Sequence, residues 1–563
     1  MRLQRRSQRL LAIFLGLSLF AAGCGDDDDD GAGQEGTDTG EEAPDGAAGG
    51  EFLDYGTIVG SPLEHIDPAL NTTLDGFQIT SALYDGLTEI DFTDPDNPEL
   101  KGVVAESWEP NADATEFVFK IKEGLEFSDG TPVLPSSFVR AWERGSDPEF
   151  AGDYSYLFNF LEGGEEKVAG TAETISGISA DDEAMTLTTK LSAPYANWAT
   201  VAGFQLFYPM PEAVDELTDQ NDWENQAMIG NGPFKLDAPR TEQEIVMVKN
   251  ETWGGDYDGK TWDDRLDKVT FKTQADPATA YNAFEAGEAD NAIVPPGRWG
   301  EAKENHPNTI RQALGTRYFE IKWDHPVVGG PENVKLRQAI LQAVNREEIS
   351  EAVYNGTNEP ATSVIPPGVP GFTENICEFC TYDPDAATAA YEEWKAAGNE
   401  LTEPIKIQLN AGAGHEDVVA TIVSNLEAVG IPAAADPLDN ETYFSQLSDG
   451  ACVICRSGWY ADYPTADNFT FDLFHTEAIG GNNHGFYSNE EFDGLIDQAK
   501  ATTDLEEANA LYAEAEDILL NQDIGVLPYL YYSLDYVYSE EKVAEFPMNV
   551  LGLILWEQVK LKA

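Results

Sequence analysis

The chain has 563 residues, with 33 Lys and Arg against 102 Asp and Glu and a formal charge of −69 at pH 7. A surface of that sign repels polyanions, so nucleic acid and anionic headgroups are excluded as partners. More than 500 residues follow position 50, too many for one core and enough for two or three domains.

Arg2, Arg5, Arg6 and Arg9 precede an apolar run from Leu10 to Ala22, then Gly23-Cys24. The run is too short to span a bilayer as a helix and has the form of a signal-peptide core. Small residues before one cysteine resemble a bacterial lipobox, in which the cysteine is lipidated and becomes the new N-terminus. Ala21 stands where that pattern has a bulky residue. The expectation is a signal peptide over 1–23 and a lipid anchor on Cys24. Residues 24–50 then read as an acidic tether, because Gly25–Gly50 holds no Lys, Arg or large apolar residue and cannot bury anything. As a flexible coil it spans roughly 25–30 Å. No later segment holds 18 unbroken apolar residues, so the body reads as soluble.

The body is mixed α/β. In "EFVFKIKEGLEF", Phe117, Phe119 and Ile121 alternate as a half-buried strand. "PENVKLRQAILQAVNREEISEAVYNG" places Leu336, Ile340, Ala343 and Val344 on one helical stripe that stops at Gly356. "YDPDAATAAYEEWKAAG" opens with a cap and first-turn proline, Asp383-Pro384, and ends at Gly398. "IKIQLN" is a strand, and "EDVVATIVSNLEAVGIP" a helix closed by Gly430 and Pro432. Helix, strand and helix in that order argue for an α/β lobe between 320 and 530. Ser488 and Glu491 form a capping box before a helical pair that runs to Gln522.

Apart from Cys24 there are four cysteines, in "CEFC" (Cys377, Cys380) and "CVIC" (Cys452, Cys455). Two CxxC pairs can hold zinc, but their separation is far longer than a zinc ribbon needs, and an exported protein oxidises its thiols. Four cysteines allow three pairings. A local bridge is expected for Cys377–Cys380. Cys452 and Cys455 sit in an apolar run that reads as a strand, where residues three apart face opposite ways and a local bridge is strained.

Enzymatic constellations do not appear. HExxH, GxSxG and a phosphate-cradling glycine loop are missing, and only six histidines are scattered along the chain. His415-Glu416-Asp417 is metal-like in composition but falls in a helix-start pattern, where acids cap. No cofactor or metal is expected. One stretch is unusual: "GWYADYPTADNF", residues 458–469, sets Asp462 and Asp467 among aromatic rings. Without further context an Asp before Tyr-Pro is a turn cap.

The order of several segments supplies that context. "AESWEPNADATEFVFKIKEGLEFSDGTPVLPSSFVRAW", "IDPAL…SALYDGL", "GNGPFKL", "AFEAGEADNAI", "VKLRQAILQAVNREEI" and "GFYSNEEFDGLIDQA" resemble the family 5 extracellular solute-binding proteins of peptide ABC importers. The resemblance runs from about residue 55 to 535. It implies a two-lobed, type II periplasmic-binding-protein-like α/β fold with a hinge and an extra domain inserted near the N-terminus. On that pattern lobe I is 51–92, 226–317 and 531–563, the inserted domain 93–225, and lobe II 318–530. It also implies the site. Asp462, in "GW-x-A-D-Y" after Gly458 and Trp459, takes a peptide's α-ammonium, and Arg456 takes the C-terminal carboxylate. Trp459, Tyr532 and Tyr156 line side-chain pockets. Thr73 and Leu74 offer backbone to the ligand as an added strand. Asp467 is read as structural. The implied partners are short peptides, permease subunits of an ABC transporter and the bilayer reached through Cys24, with the chain acting as a monomer outside the cytoplasm. The other readings are a surface-anchored peptide sensor and a binder of another solute, such as a metal chelate or sugar, on the same fold.

Overall fold

The computed structural model describes residues 49–563 apart from 61, 92–98, 151, 227, 255–264, 296, 307–309, 412–413 and 563. The expected signal peptide, Cys24 and all but the last two residues of the tether lie outside the described residues.

Among the described residues ten strands form one mixed sheet. From one edge the order is Ala433–Leu438, Ile405–Asn410, Ile454–Tyr460, Ile310–Ile321 and Val526–Tyr538. It continues with Asn291–Ile293, Glu51–Asp54, Lys268–Lys272, Glu244–Lys249 and Phe234–Leu236. The two central strands are the longest, at 12 and 13 residues. They pair antiparallel from Ile310↔Asp535 to Glu320↔Val526. Val526–Tyr538 uses Tyr536–Tyr538 to hold one half of the sheet, and Ile310–Ile321 uses Gly315–Ile321 to hold the other. These two strands therefore join the two halves of the sheet. Their register shifts between Gln312 and Thr316 and again between Arg317 and Tyr318. Leu314 instead donates its N–H to the Val550 carbonyl at 2.7 Å. Bulges of this kind bend a strand, which suits a hinge.

At one end of the sheet, Ile405–Asn410 and Ala433–Leu438 pair in parallel, joined by the helix His415–Ala428. Gly430, with φ of +82°, ends that helix as expected. Asp383 caps the helix Pro384–Ala396, its Oδ1 accepting from the Ala386 N–H at 2.9 Å. A separate four-stranded antiparallel sheet is built from Ala105–Pro110, Glu116–Ile121, Thr186–Lys190 and Ile178–Asp181, in that order. Phe117, Phe119 and Ile121 alternate into its core, as their spacing predicts. The helix Pro135–Gly145 packs on this sheet and buries Trp142 against Trp198 and Phe207. Its Arg144 forks onto buried Asp67 at 2.6 and 3.1 Å, tying the sheet to the N-terminal segment.

Three local expectations need correction. The single helix expected over 331–356 is two, Val334–Ala343 and Arg346–Tyr354. Val344 is extended, and Asn345 starts the second helix by accepting from the Glu348 N–H at 3.1 Å. Asn489, rather than Ser488, caps the helix Glu490–Ala501, accepting from Glu491 and Phe492. Ser488 instead bonds Thr476 through its hydroxyl at 2.9 Å. Cys452 and Cys455 are bridged to each other, as Cys377 and Cys380 are. The opposite-face argument fails because the strand starts only at Ile454, leaving Cys452 outside it beyond a bend at Val453, with Cα atoms 5.9 Å apart. Bridged in this way, neither pair offers thiolates to zinc.

Candidate ligand-binding site

The strand Ile454–Tyr460 is held on one side along its whole length by Ile310–Ile321. On the other side Ile405–Asn410 reaches only Ile454 and Cys455. Beyond that point this edge meets no strand among the described residues. The Ala461 N–H turns inward, to the Leu314 carbonyl at 2.7 Å. The Arg456 carbonyl turns outward and accepts the Tyr443 hydroxyl. Because peptide groups alternate along a strand, those of Gly458 and Tyr460 also face outward. The result is a short free edge, able to pair with an extended chain.

Asp462 lies just past this edge. Tyr154 donates its hydroxyl to Asp462 Oδ1 at 2.8 Å, and the Asn468 amide lies 3.4 Å from Oδ2. Asn468 Oδ1 in turn accepts from the Asp462 N–H and the Trp459 indole, both at 3.0 Å. One amide thus fixes both the acid and the ring. Asp462 has no ion pair among the described residues. Burial pushes its carboxyl up to about 7, against the opposing hydrogen bonds of Tyr154 and Asn468. A carboxylate so placed gains most from a cation that arrives with the ligand.

At the other end of the edge, Arg456 Nη2 donates to the Tyr532 hydroxyl at 3.3 Å. Tyr532 stacks on Tyr460 with centroids 4.1 Å apart. It also occupies the place of a side chain at Gly458, where a Cβ would lie 2.2 Å from its hydroxyl. Glycine here is a packing requirement. Tyr156 stands beside Tyr154, with rings 6.4 Å apart, and its hydroxyl meets the Asn482 amide at 3.4 Å.

The structure therefore gathers Asp462, Trp459, Gly458, Arg456, Tyr532 and Tyr156 along one strand and its neighbours. It does not give Thr73 and Leu74 the expected role. Thr73 caps the helix Leu74–Leu83 with its hydroxyl, and Leu74 is the first helical residue, so they form no strand for a ligand to extend. The reason is the Thr-Leu-Asp-Gly sequence, which offers a cap and an acid in the first turn. Asp467, read as structural, accepts from Tyr195 and lies 3.4 Å from both the Tyr512 hydroxyl and the Asn197 amide. Sequence reasoning passed over Tyr154, Asn468 and Arg317. Tyr154 stands two residues before the marked Tyr156, and Asn468 lies within "GWYADYPTADNF", so each was a readable polar partner. Among the described residues no group of three His, Cys, Asp or Glu could hold a metal. His415 is instead the buried first residue of its helix.

The family model of bacterial extracellular solute-binding proteins, family 5 middle, matches residues 99–481. A probable deoxycholate-binding periplasmic protein of Escherichia coli, YgiS, is 26% identical, aligned over 84% of this chain and 90% of its own length. The dipeptide-binding protein DppE of Bacillus subtilis is 25% identical, over 96% of this chain and 97% of its own. Among solved structures, the Escherichia coli murein tripeptide binding protein MppA aligns with a TM-score of 0.75 at 22% identity, covering 92% of this chain and 99% of its own. That likeness supports the two-lobed, type II fold.

Proposed function

This chain belongs to the bacterial extracellular solute-binding proteins of family 5, and on that premise we propose that it captures short peptides between two closing lobes for an ABC importer. The body divides into lobe I at 51–92, 226–317 and 531–563, the insert at 93–225, and lobe II at 318–530. The ligand backbone pairs with the free edge at Gly458 and Tyr460. Its α-ammonium meets Asp462 and its carboxylate meets Arg456, with Trp459, Tyr532 and Tyr156 lining the pockets between. Cys24 carries the lipid that holds the monomer outside the cytoplasm, where the loaded form meets the permease subunits. The role is binding and delivery, without catalysis.

The observation that carries this reading is the Asp462 carboxyl, free of any ion pair among the described residues and set just past an open strand edge. Two measurements test it: mass spectrometry of ligand released from purified protein, and calorimetric titration with a tripeptide and its N-acetyl form. Peptide in the first and loss of affinity on acetylation in the second are expected. Equal binding of both forms removes Asp462 as the amine site.

A second reading draws on the deoxycholate-binding relative. Arg456 beside stacked Tyr460 and Tyr532 also suits an apolar body with a single carboxylate. Such a ligand leaves Asp462 unused, so saturable binding of deoxycholate that survives Asp462→Ala favours it over peptides.

A further inference from the structure

Two guanidiniums converge on Tyr532. Arg317 lies over the ring face, 3.8 Å from its centroid, while Arg456 reaches the hydroxyl at 3.3 Å. The register of Arg317 opposite Gly458 brings them together, since Gly458 and Arg456 share a strand face. Both side chains are half-buried. Neither makes an ion pair among the described residues, although acids outnumber bases 102 to 33 in the chain. Arg317 donates Nε to Asn358 at 3.1 Å, and its terminal nitrogens meet no acceptor among the described residues. Arg456 Nε is buried without a partner.

Other buried arginines are treated differently. Arg144 forks onto Asp67. Arg337 donates to the carbonyls of Asp523, Val328 and Gly330, and Arg346 to those of Pro528, Leu341, Val344 and Cys380. The Asp535 carboxyl feels Arg317 but accepts from the Ser533 hydroxyl at 2.9 Å and lies outside ion-pair distance of both guanidiniums. The field of the pair extends to His415, whose imidazole is held neutral by burial first and by Arg456 and Arg317 second.

We propose that Arg317 is a specificity residue that, with Arg456, forms a subsite for a ligand end carrying two carboxylates, so that peptides ending in Glu or Asp are preferred. This rests on the peptide reading above, in which Arg456 takes the α-carboxylate. A single carboxylate matches one guanidinium fork and leaves the second cation desolvated and unpaired, which is costly. A side-chain carboxylate on the same residue answers it. The net charge of the chain opposes acidic ligands at long range, but salt screens that field beyond about 10 Å at 0.1 M. The local pair then decides.

The test is calorimetric titration of the full chain with Ala-Ala-Glu, Ala-Ala-Gln and Ala-Ala-Ala. Wild type should bind the glutamate peptide at least tenfold more tightly than the glutamine one. Arg317→Gln, with melting checked, should erase that ratio, a factor of ten being about 1.4 kcal/mol. Equal binding of Glu and Gln peptides by wild type overturns the inference while the peptide reading stands, and this comparison needs no variant. A glutamate preference that survives Arg317→Gln overturns the assignment to Arg317. Binding of none of the three peptides overturns the peptide reading and this inference with it.

Discussion

Tyr154 donates its hydroxyl to Asp462 at 2.8 Å across 308 residues of sequence. Tyr154 belongs to the helical segment Asp153–Phe160, and Asp462 follows the strand Ile454–Tyr460. The same two regions meet again where Tyr195 bonds Asp467 and where the Ala196 N–H donates to the Lys500 carbonyl at 2.9 Å. The Lys500 ammonium lies 3.3 Å from the Phe471 centroid and 4.7 Å from that of Phe160. The candidate amine site thus lies where segments 153–196 and 462–500 pack against each other.

Asp462→Ala should weaken a short peptide about a hundredfold or more, since losing one partner of a desolvated charge pair costs roughly 2–5 kcal/mol. N-acetylation should weaken binding to wild type comparably and do little more on the variant. That non-additivity marks a direct pair. Titration calorimetry reads all four combinations, and additive losses would assign the amine elsewhere.

Affinity should depend on pH. Burial raises the Asp462 carboxyl to about 7 in the ligand-free protein, whereas an ammonium ligand needs the carboxylate. Peptide affinity should therefore fall about tenfold for each pH unit below 7. Stability of the empty protein should run the other way. Buried Asp54, Asp472, Glu516 and Glu320 are raised to about 6, 7, 7 and 8, in each case chiefly by burial. A carboxyl raised on folding contributes stability that is complete below its unfolded pKa and is lost as pH rises through the folded value. The ligand-free protein should melt several degrees higher at pH 5 than at pH 8, and scanning calorimetry at the two values checks the sign.

Gly458→Ala should damage the site more than a methyl group suggests. The new Cβ meets the Tyr532 hydroxyl at 2.2 Å and its ring carbons near 3.0 Å. Tyr532 has to leave Arg456 and the Tyr460 stack. A loss of tenfold or more in peptide affinity is expected from titration, and wild-type affinity in the variant would show that the ring moves freely.

Asp467→Asn separates closure from recognition. The Tyr195 hydroxyl donates to Asp467 across 272 residues of sequence, so the variant should favour the open form and weaken peptides about three- to tenfold. The ratio of free to acetylated peptide should stay at the wild-type value, because Asp462 is untouched. A shift in that ratio would make Asp467 part of the amine site.

Cys24→Ala should release the protein from membranes into the soluble fraction if the cysteine carries the anchor. Immunoblotting of fractions reads the outcome, and retention of the variant points to an uncleaved apolar segment at 10–22.

Local sequence determined what local physics controls. Alternation at Phe117, Phe119 and Ile121 fixes a strand, because side chains on a pleat point to opposite faces in turn. Asp383-Pro384 and Gly430 bound their helices, because caps and left-handed turns are decided within a few residues. The stretch around Asp462 was not readable in this way: taken alone it is a turn cap, and only the order of family-like segments along the chain gave the acid an expected role. What only the tertiary structure decided depends on register and on distant contacts. Arg317 meets Arg456 because two strands far apart in sequence pair with Arg317 opposite Gly458. Tyr154 meets Asp462 because the segment Asp153–Phe160 packs against the turn that follows Ile454–Tyr460. The Cys452–Cys455 bridge depended on where a strand begins, Ile454 rather than Cys452. Strand ends, pairing register and lobe docking are set by the burial of whole surfaces, and no single segment carries that information.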